Sequence, residues 1–277
     1  MEKPFDEPHL GIRSQVLGTT ETLPDSLQVL SARQAGDFEA LGQALSRQLR
    51  YREAIEAYSR GLESDPDNLS LLRLRAGRYL TTLQPDLALA DFERCLSLGA
   101  DRLDCGYRMG LALYYLGRYA AAAGTFRDCM PLCDEEMGIA VIYWHTLSAC
   151  RGGAAPALLG KYHSGMAVGH HTAYEKAVAV WAGARAYSQA EAALEQEPED
   201  LEYGIAQYGL AYHPDCRTDR PCWRRSAPGT ASGPAFLIWQ PGRTCMKNYK
   251  KIAVVRFGWN VPWRFLCCVT ALSTPHR

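Results

Sequence analysis

The sequence predicts an all-α fold of antiparallel helix pairs followed by an irregular C-terminal tail, and three observations predict it. First, side-chain size recurs with a period of 34: Ala54, Ala88 and Ala122; Gly42, Ala76 and Gly110; Tyr58, Phe92 and Phe126; Gly61, Cys95 and Cys129; Leu45, Tyr79 and Leu113. Columns of small, aromatic and large apolar residues that repeat in register mark a repeated supersecondary unit. Second, within one period the apolar residues step by three and four, as on one helix face. Third, composition changes abruptly after Tyr212. The 277 residues, 47% hydrophobic and 22% charged, otherwise have globular usage, which excludes wholesale disorder and collagen-like or coiled-coil rods.

The elements follow in chain order. Residues 1–34 read as an irregular tail and a capping helix, from Leu23, Leu27 and Leu30 behind Thr22, with Pro24 suited to a helix first turn. In the first period Phe38, Leu41, Leu45 and Leu49 place a helix at about Asp37 to Leu49. Ala54, Ile55, Tyr58 and Leu62 place its partner, and Asp65, Pro66, Asp67 and Asn68 supply turn chemistry before the next unit. Gly42 and Ala54 let the two helices approach closely. The second copy runs from about Leu69 to Arg102 and the third from about Leu103 to Glu136, so that residues 35–136 hold three repeats. In residues 137–212 the period decays. Met137 to Cys150 reads as a helix and Ala155 to Val168 as its partner, but Trp144 stands at the small column and Pro156 at the alanine column. Three further helices are expected at Thr172 to Arg185, Ser188 to Glu197 and Pro198 to Tyr212.

The pattern Phe38-x-x-Leu41-Gly42-x-x-Leu45, then Ala54, Tyr58, Gly61 and Pro66, resembles the tetratricopeptide repeat. The second copy departs from it at Arg75, where an apolar residue is usual, and at Ala100 in place of proline. The third departs at Gly106 and Asp134. The resemblance implies a right-handed α-solenoid whose concave groove, lined by the first helix of each pair, holds an extended peptide or a partner helix. The groove columns it assigns are Glu39, Gln43, Ser46 and Arg47; Arg73, Gly77 and Leu80; Tyr107, Leu111, Tyr114 and Tyr115; and Val141, His145 and Ser148. Tyrosine and arginine contribute large contact areas at low entropic cost, which favours a binding role for them; packing between neighbouring helices is the competing role for the tyrosines. Family members that clamp a peptide's terminal carboxylate use asparagine and basic residues where this chain has Gln43, Gly77 and Leu111, so that mode is disfavoured. The expectation is a protein–protein interaction scaffold that is not an enzyme.

Other chemistry is weakly signalled. His163, His170 and His171 with Glu175 lack a further ligand at metal spacing, and His213, Cys216 and Cys222 read as loop residues. Asp101 with Asp104 and Glu135 with Glu136 fall in helix first turns, where carboxylates complement the helix dipole. Cys95 and Cys129 fill a compact column. There is no phosphate loop, catalytic-triad signature or dinucleotide fingerprint, and no cofactor or metal is expected. The first ten residues lack a signal-peptide pattern and Ile252 to Leu272 is interrupted by Arg256, Asn260, Pro262 and Arg264, so a cytoplasmic protein with reduced thiols and no transmembrane span is expected.

The zero net charge hides an asymmetry. Residues 1–212 carry 19 basic and 28 acidic side chains; residues 213–277 carry 11 and 2, with no glutamate, 7 of the 15 prolines, 4 of the 6 tryptophans and 5 of the 10 cysteines. Trp223, Arg224, Arg225, Trp239, Lys247, Tyr249 and Lys250 fit contact with nucleic acid or an anionic surface, the alternative function. A reading frame shifted after about Tyr212 explains the loss of glutamate and of helical period in one step. That reading, with a poorly ordered tail, is preferred, and nucleic acid is not the expected partner.

Overall fold

The computed structural model describes residues 25–194 and 201–211, which form eleven α-helices and no strand. The expectations for Met1 to Pro24, for Glu195 to Asp200 and for the tail beyond Ala211 lie outside the described residues. The chain divides after Ala112 into two compact units.

In the first unit, α1 (Leu27–Ala35) precedes α2 (Phe38–Arg47) and α3 (Tyr51–Ser64), which form the first pair, and α4 (Leu69–Thr81) and α5 (Pro85–Ser97), which form the second. α6 (Arg102–Tyr115) opens the third copy. Each neighbour packs on the next from α1 to α5. Caps set the starts: Ser26, Asp37 and Asn68 each accept a hydrogen bond from a backbone N–H three residues on, offsetting an orphan donor of the first turn. The capping helix exists, but not on the expected stripe. Leu27 is 82% exposed and Leu30 is also exposed, whereas Val29 and Ala32 are buried. The helix starts at Ser26, and its docking is fixed by Asp25, which pairs with Arg33 and with the buried Arg50.

The repeat columns become the core. Tyr58, Phe92 and Phe126 are fully buried, as are Ala54, Ala88 and Ala122. At Gly42 a Cβ would stand 2.2 Å from Cε1 of Tyr58, so this ring and the bare backbone occupy one space. A further column repeats at the turn inside each pair. Leu49 (φ 61°), Leu83 (φ 52°) and Gly117 (φ 73°) all take the left-handed conformation. The next amide donates back to the carbonyl of Leu45, Tyr79 or Leu113 at 3.0, 2.8 and 2.9 Å, closing the helix end. Arg75, the polar intruder in the second copy, is absorbed by a fork onto both carboxylate oxygens of the buried Asp91 at 2.8 Å each, plus Ser59 Oγ at 3.2 Å.

In the second unit, α7 (Tyr119–Cys129) packs on α8 (Glu135–Arg151), and α8 on α9 (Thr172–Trp181). α10 (Tyr187–Leu194) and α11 (Leu201–Ala211) follow, and Val180, Ala190, Leu194, Ala206 and Leu210 share a cluster. The expected helix from Ala155 to Val168 is absent. Only a 3-10 turn at Ala157–Lys161 forms, because Pro156 starts it and Gly165 and Gly169 take positive φ thereafter. α9 also ends earlier than expected, at Trp181, where Gly183 takes φ 74°. The loop that replaces the missing helix is strapped to the first turn of α8. Ala167 N donates to Glu135 Oε2 at 2.6 Å and His170 N to Glu136 Oε1 at 2.8 Å, and His163 Nε2 lies 3.4 Å from Glu135.

Candidate partner-binding face

In the first unit, α2 and α4 bury one side against α3 and α5 and leave a polar row on the other. Glu39, Gln43, Ser46 and Arg73 are half-buried and Arg47 is exposed. These positions follow the apolar stripe of the same helices at the offsets that turn them away from the core. Gln43 Nε2 donates to Glu39 Oε1 at 3.1 Å, one helical turn away. The Tyr58 phenol stands in this neighbourhood. Burial raises its pKa; the nearby Ser46 hydroxyl and the charges of Arg78 and Arg47 oppose that, and Glu39 reinforces it.

The row continues on α6. Arg73 Nη1 lies 3.4 Å from Asp104 Oδ2, and Arg108 Nε donates to Asp104 Oδ1 at 3.0 Å. Arg108 is buried, 4% exposed. Burial pulls its pKa down, Asp104 opposes, and Arg73 and Arg78 push the same way as burial. Arg78 lies over the Tyr51 ring at 5.2 Å. Asp104 therefore bridges two guanidiniums, a role beyond that of a helix first-turn carboxylate.

The remaining groove columns are interior. Gly77, Leu80, Tyr107 and Leu111 are buried in the first unit, and Tyr114, Tyr115, Val141, His145 and Ser148 in the second. Tyr114 stacks edge-on with Trp144, its hydroxyl lies 2.7 Å from that of Tyr208 on α11, and Arg151 Nη1 donates to it at 2.9 Å. The same guanidinium covers the Tyr119 ring at 4.4 Å. Burial pushes the Tyr115 phenol up. Burial, with the Arg127 charge, brings the His145 imidazole down to about 4. Ser148 Oγ donates to the Trp144 carbonyl at 2.7 Å. These side chains are packed inside their own units, and Tyr114 and Ser148 are also hydrogen-bonded there.

The sequence reading missed Arg78, Arg108 and the bridging Asp104. The pair Asp104 and Arg108, four residues apart on one helix, was a readable signal; the contact between Arg73 and Asp104 spans a repeat and carries no local one. Among the described residues, no cluster of three metal-ligating side chains forms and no helix is long and apolar enough to cross a membrane.

A 34-residue period whose copies fold as helix pairs with buried small and aromatic columns defines the class: an all-α protein of repeated helix pairs, similar in its repeat to the tetratricopeptide repeat. No protein-family model matches the chain. Tetratricopeptide repeat protein 28 of Homo sapiens is 36% identical over 76 residues, which is 27% of this chain and 3% of that much longer protein. The solved structure of YrrB, a TPR protein with an unusual peptide-binding site, overlays with a TM-score of 0.45 at 15% identity, over 66% of this chain and 99% of that one.

Proposed function

We propose that this protein is a protein–protein interaction scaffold that holds a peptide or partner helix on the face made by the first helices of its repeats. The observation that carries the reading is the polar row Glu39, Gln43, Arg47 and Arg73, partly exposed on helices whose other sides are committed to the core. A repeat protein gains a binding surface in this way: the stacked core fixes the backbone, and the side chains it leaves over are free to vary. Tyr107 and Leu111 act here as support within the first unit, and Tyr114, Tyr115 and His145 as core of the second. The contact is non-covalent and needs no cofactor.

The test is capture from an extract of the source cells with the full chain as bait. Gln43→Ala combined with Arg47→Glu should lose a defined protein that Arg52→Gln combined with Arg94→Gln, on the second helices, retains. Equal capture by the two variants refutes the assignment of the face. The Tyr107→Ala, Tyr114→Ala chain should lose helicity or melt earlier, as support residues require; loss of the partner with helicity and melting unchanged would move those rings into the contact.

A further inference from the structure

The polar face of the first unit is not electrically balanced. Among the described residues, its cations are Arg47, Arg73, Arg78 and Arg108, and the carboxylates within their reach are Glu39 and Asp104. Asp104 is divided between Arg73 and Arg108, while Glu39 is engaged by Gln43. Two positive charges are in excess. One of the four guanidiniums is also in the wrong medium. Arg108 is more than nine-tenths buried, where a charge costs far more than in water unless it is paired, and half of one carboxylate is its share. Arg73 and Arg78 press on it further, as the downward displacement of its pKa by burial and by both neighbours records. An anion laid across this face relieves like-charge repulsion already present in the free protein, so it gains more here than at a balanced surface.

We propose that the partner segment held on this face is an acidic peptide, its Asp or Glu side chains paired with Arg47, Arg73 and Arg78 and within the field of Arg108. This rests on the scaffold reading and names the chemistry of its ligand. Guanidinium is the cation that pairs carboxylates in bidentate fashion, which suits side-chain carboxylates spaced along an extended chain. Nucleic acid fits less well. An excess of two charges is small beside the 6–10 phosphate contacts of about that number in a typical duplex complex. The rings on this face, Tyr58 and Tyr107, are buried and offer no platform on which a base would stack. The basic residues 213–277 carry the same sign as the face and are no candidate to fill it.

The experiment is fluorescence anisotropy with the full chain and a labelled dodecapeptide of alternating Glu and Ala, amidated at its C-terminus so that no terminal carboxylate takes part. Arg47→Gln with Arg78→Gln should weaken binding about tenfold, the loss of two charge-assisted contacts of about 0.7 kcal/mol each. Arg47→Gln alone, at an exposed position that folding does not depend on, should weaken it about threefold. Arg52→Gln with Arg94→Gln should change it less than twofold. Binding of the double variant within twofold of the parent overturns the proposal, because the peptide is then held elsewhere, as on the basic tail. A twelve-residue oligothymidylate that binds more tightly and is lost with the same substitutions overturns the peptide assignment in favour of nucleic acid. If the acidic peptide fails while the Gln43→Ala, Arg47→Glu chain still loses its captured protein, the ligand chemistry falls and the scaffold stands; if both fail, the scaffold reading falls too.

Discussion

Replacing Gly42 by alanine sets two effects against each other, and the structure decides which wins. In an exposed helix interior the change is favourable by about 0.8–1 kcal/mol, since glycine carries the larger backbone entropy loss. At position 42 the new Cβ would lie 2.2 Å from Cε1 of Tyr58 and 2.6 Å from both Cδ1 and Cζ, well inside van der Waals separation. Tyr58 is 1% exposed and cannot swing into solvent. Overpacking of this kind costs about 1–3 kcal/mol, and a ring with no free direction belongs at the upper end. The net expectation is a loss of about 2 kcal/mol, or about 4–8 °C in Tm at about 2–4 °C per kcal/mol for a chain of this size. Gly124→Ala supplies the control: it lies in the middle of α7, its Cβ would meet nothing nearer than the mobile Arg127 Nη2 at 3.9 Å, and it should stabilise by about 0.5–1 kcal/mol. Thermal and urea melts followed by circular dichroism measure both. In a double-mutant cycle with Tyr58→Leu, the Gly42→Ala penalty should shrink by at least about 1 kcal/mol. A Gly42→Ala chain that melts higher than the parent, alongside Gly124→Ala, would refute the packing argument.

Three further outcomes are expected. Phe92→Ala or Phe126→Ala should each cost about 3–5 kcal/mol in urea melts, because each removes a wholly buried ring from the same column in successive copies. His145 should make the chain acid-sensitive: its pKa is held down to about 4 by burial, with Arg127 adding to it, against about 6.5 in an unfolded chain. Between those values the unfolded state binds the extra proton, so stability falls as pH drops from about 6.5 to about 4, by up to about 3 kcal/mol; melts of His145→Leu should lack that slope. Glu136 should hold the strap. Its carboxyl pKa is lowered chiefly by the backbone hydrogen bond from His170, so the contact is present at neutral pH and lost as pH falls through that lowered value. Deuterium uptake over residues 162–171 should therefore rise in acid, and rise at neutral pH in Glu136→Ala; unchanged uptake would show that the loop is held otherwise.

The fold was legible because repeat architecture writes the same packing problem several times. Gly42, Ala54 and Tyr58 each solve a contact between neighbouring helices, and the solution recurs at 34 residues, so periodicity reveals contacts that a single copy would hide. What was not legible lay where the copies stop being alike. The expected stripe of Leu27 and Leu30 in α1 fails because the docking of this helix is set outside the repeat columns, by the Ser26 cap and by the pairs of Asp25 with Arg33 and Arg50. The missing helix after Pro156 was readable in principle from Gly160, Gly165 and Gly169, but apolar residues among them gave a false helical pattern.

The site was half legible for a related reason. A column position predicts which way a residue points from its helix, and for Glu39, Gln43, Arg47 and Arg73 that direction ends in partly open space. For Tyr107, Leu111, Tyr114, Tyr115 and His145 the same columns end in covered space, because what stands opposite is set by the rest of each unit. In the second unit part of the cover is α11: Tyr208 meets the Tyr114 hydroxyl, Ile205 O accepts from Tyr143, and Gly209 brings the α11 backbone so near that a Cβ there would lie 2.5 Å from that of Ala177. Arg151 then fills a role that no repeat column contains, satisfying Tyr114 and covering Tyr119 at once. The column positions that the described later elements leave uncovered are thus the arginine-rich row on α2, α4 and the start of α6, which is why the proposed contact is placed there.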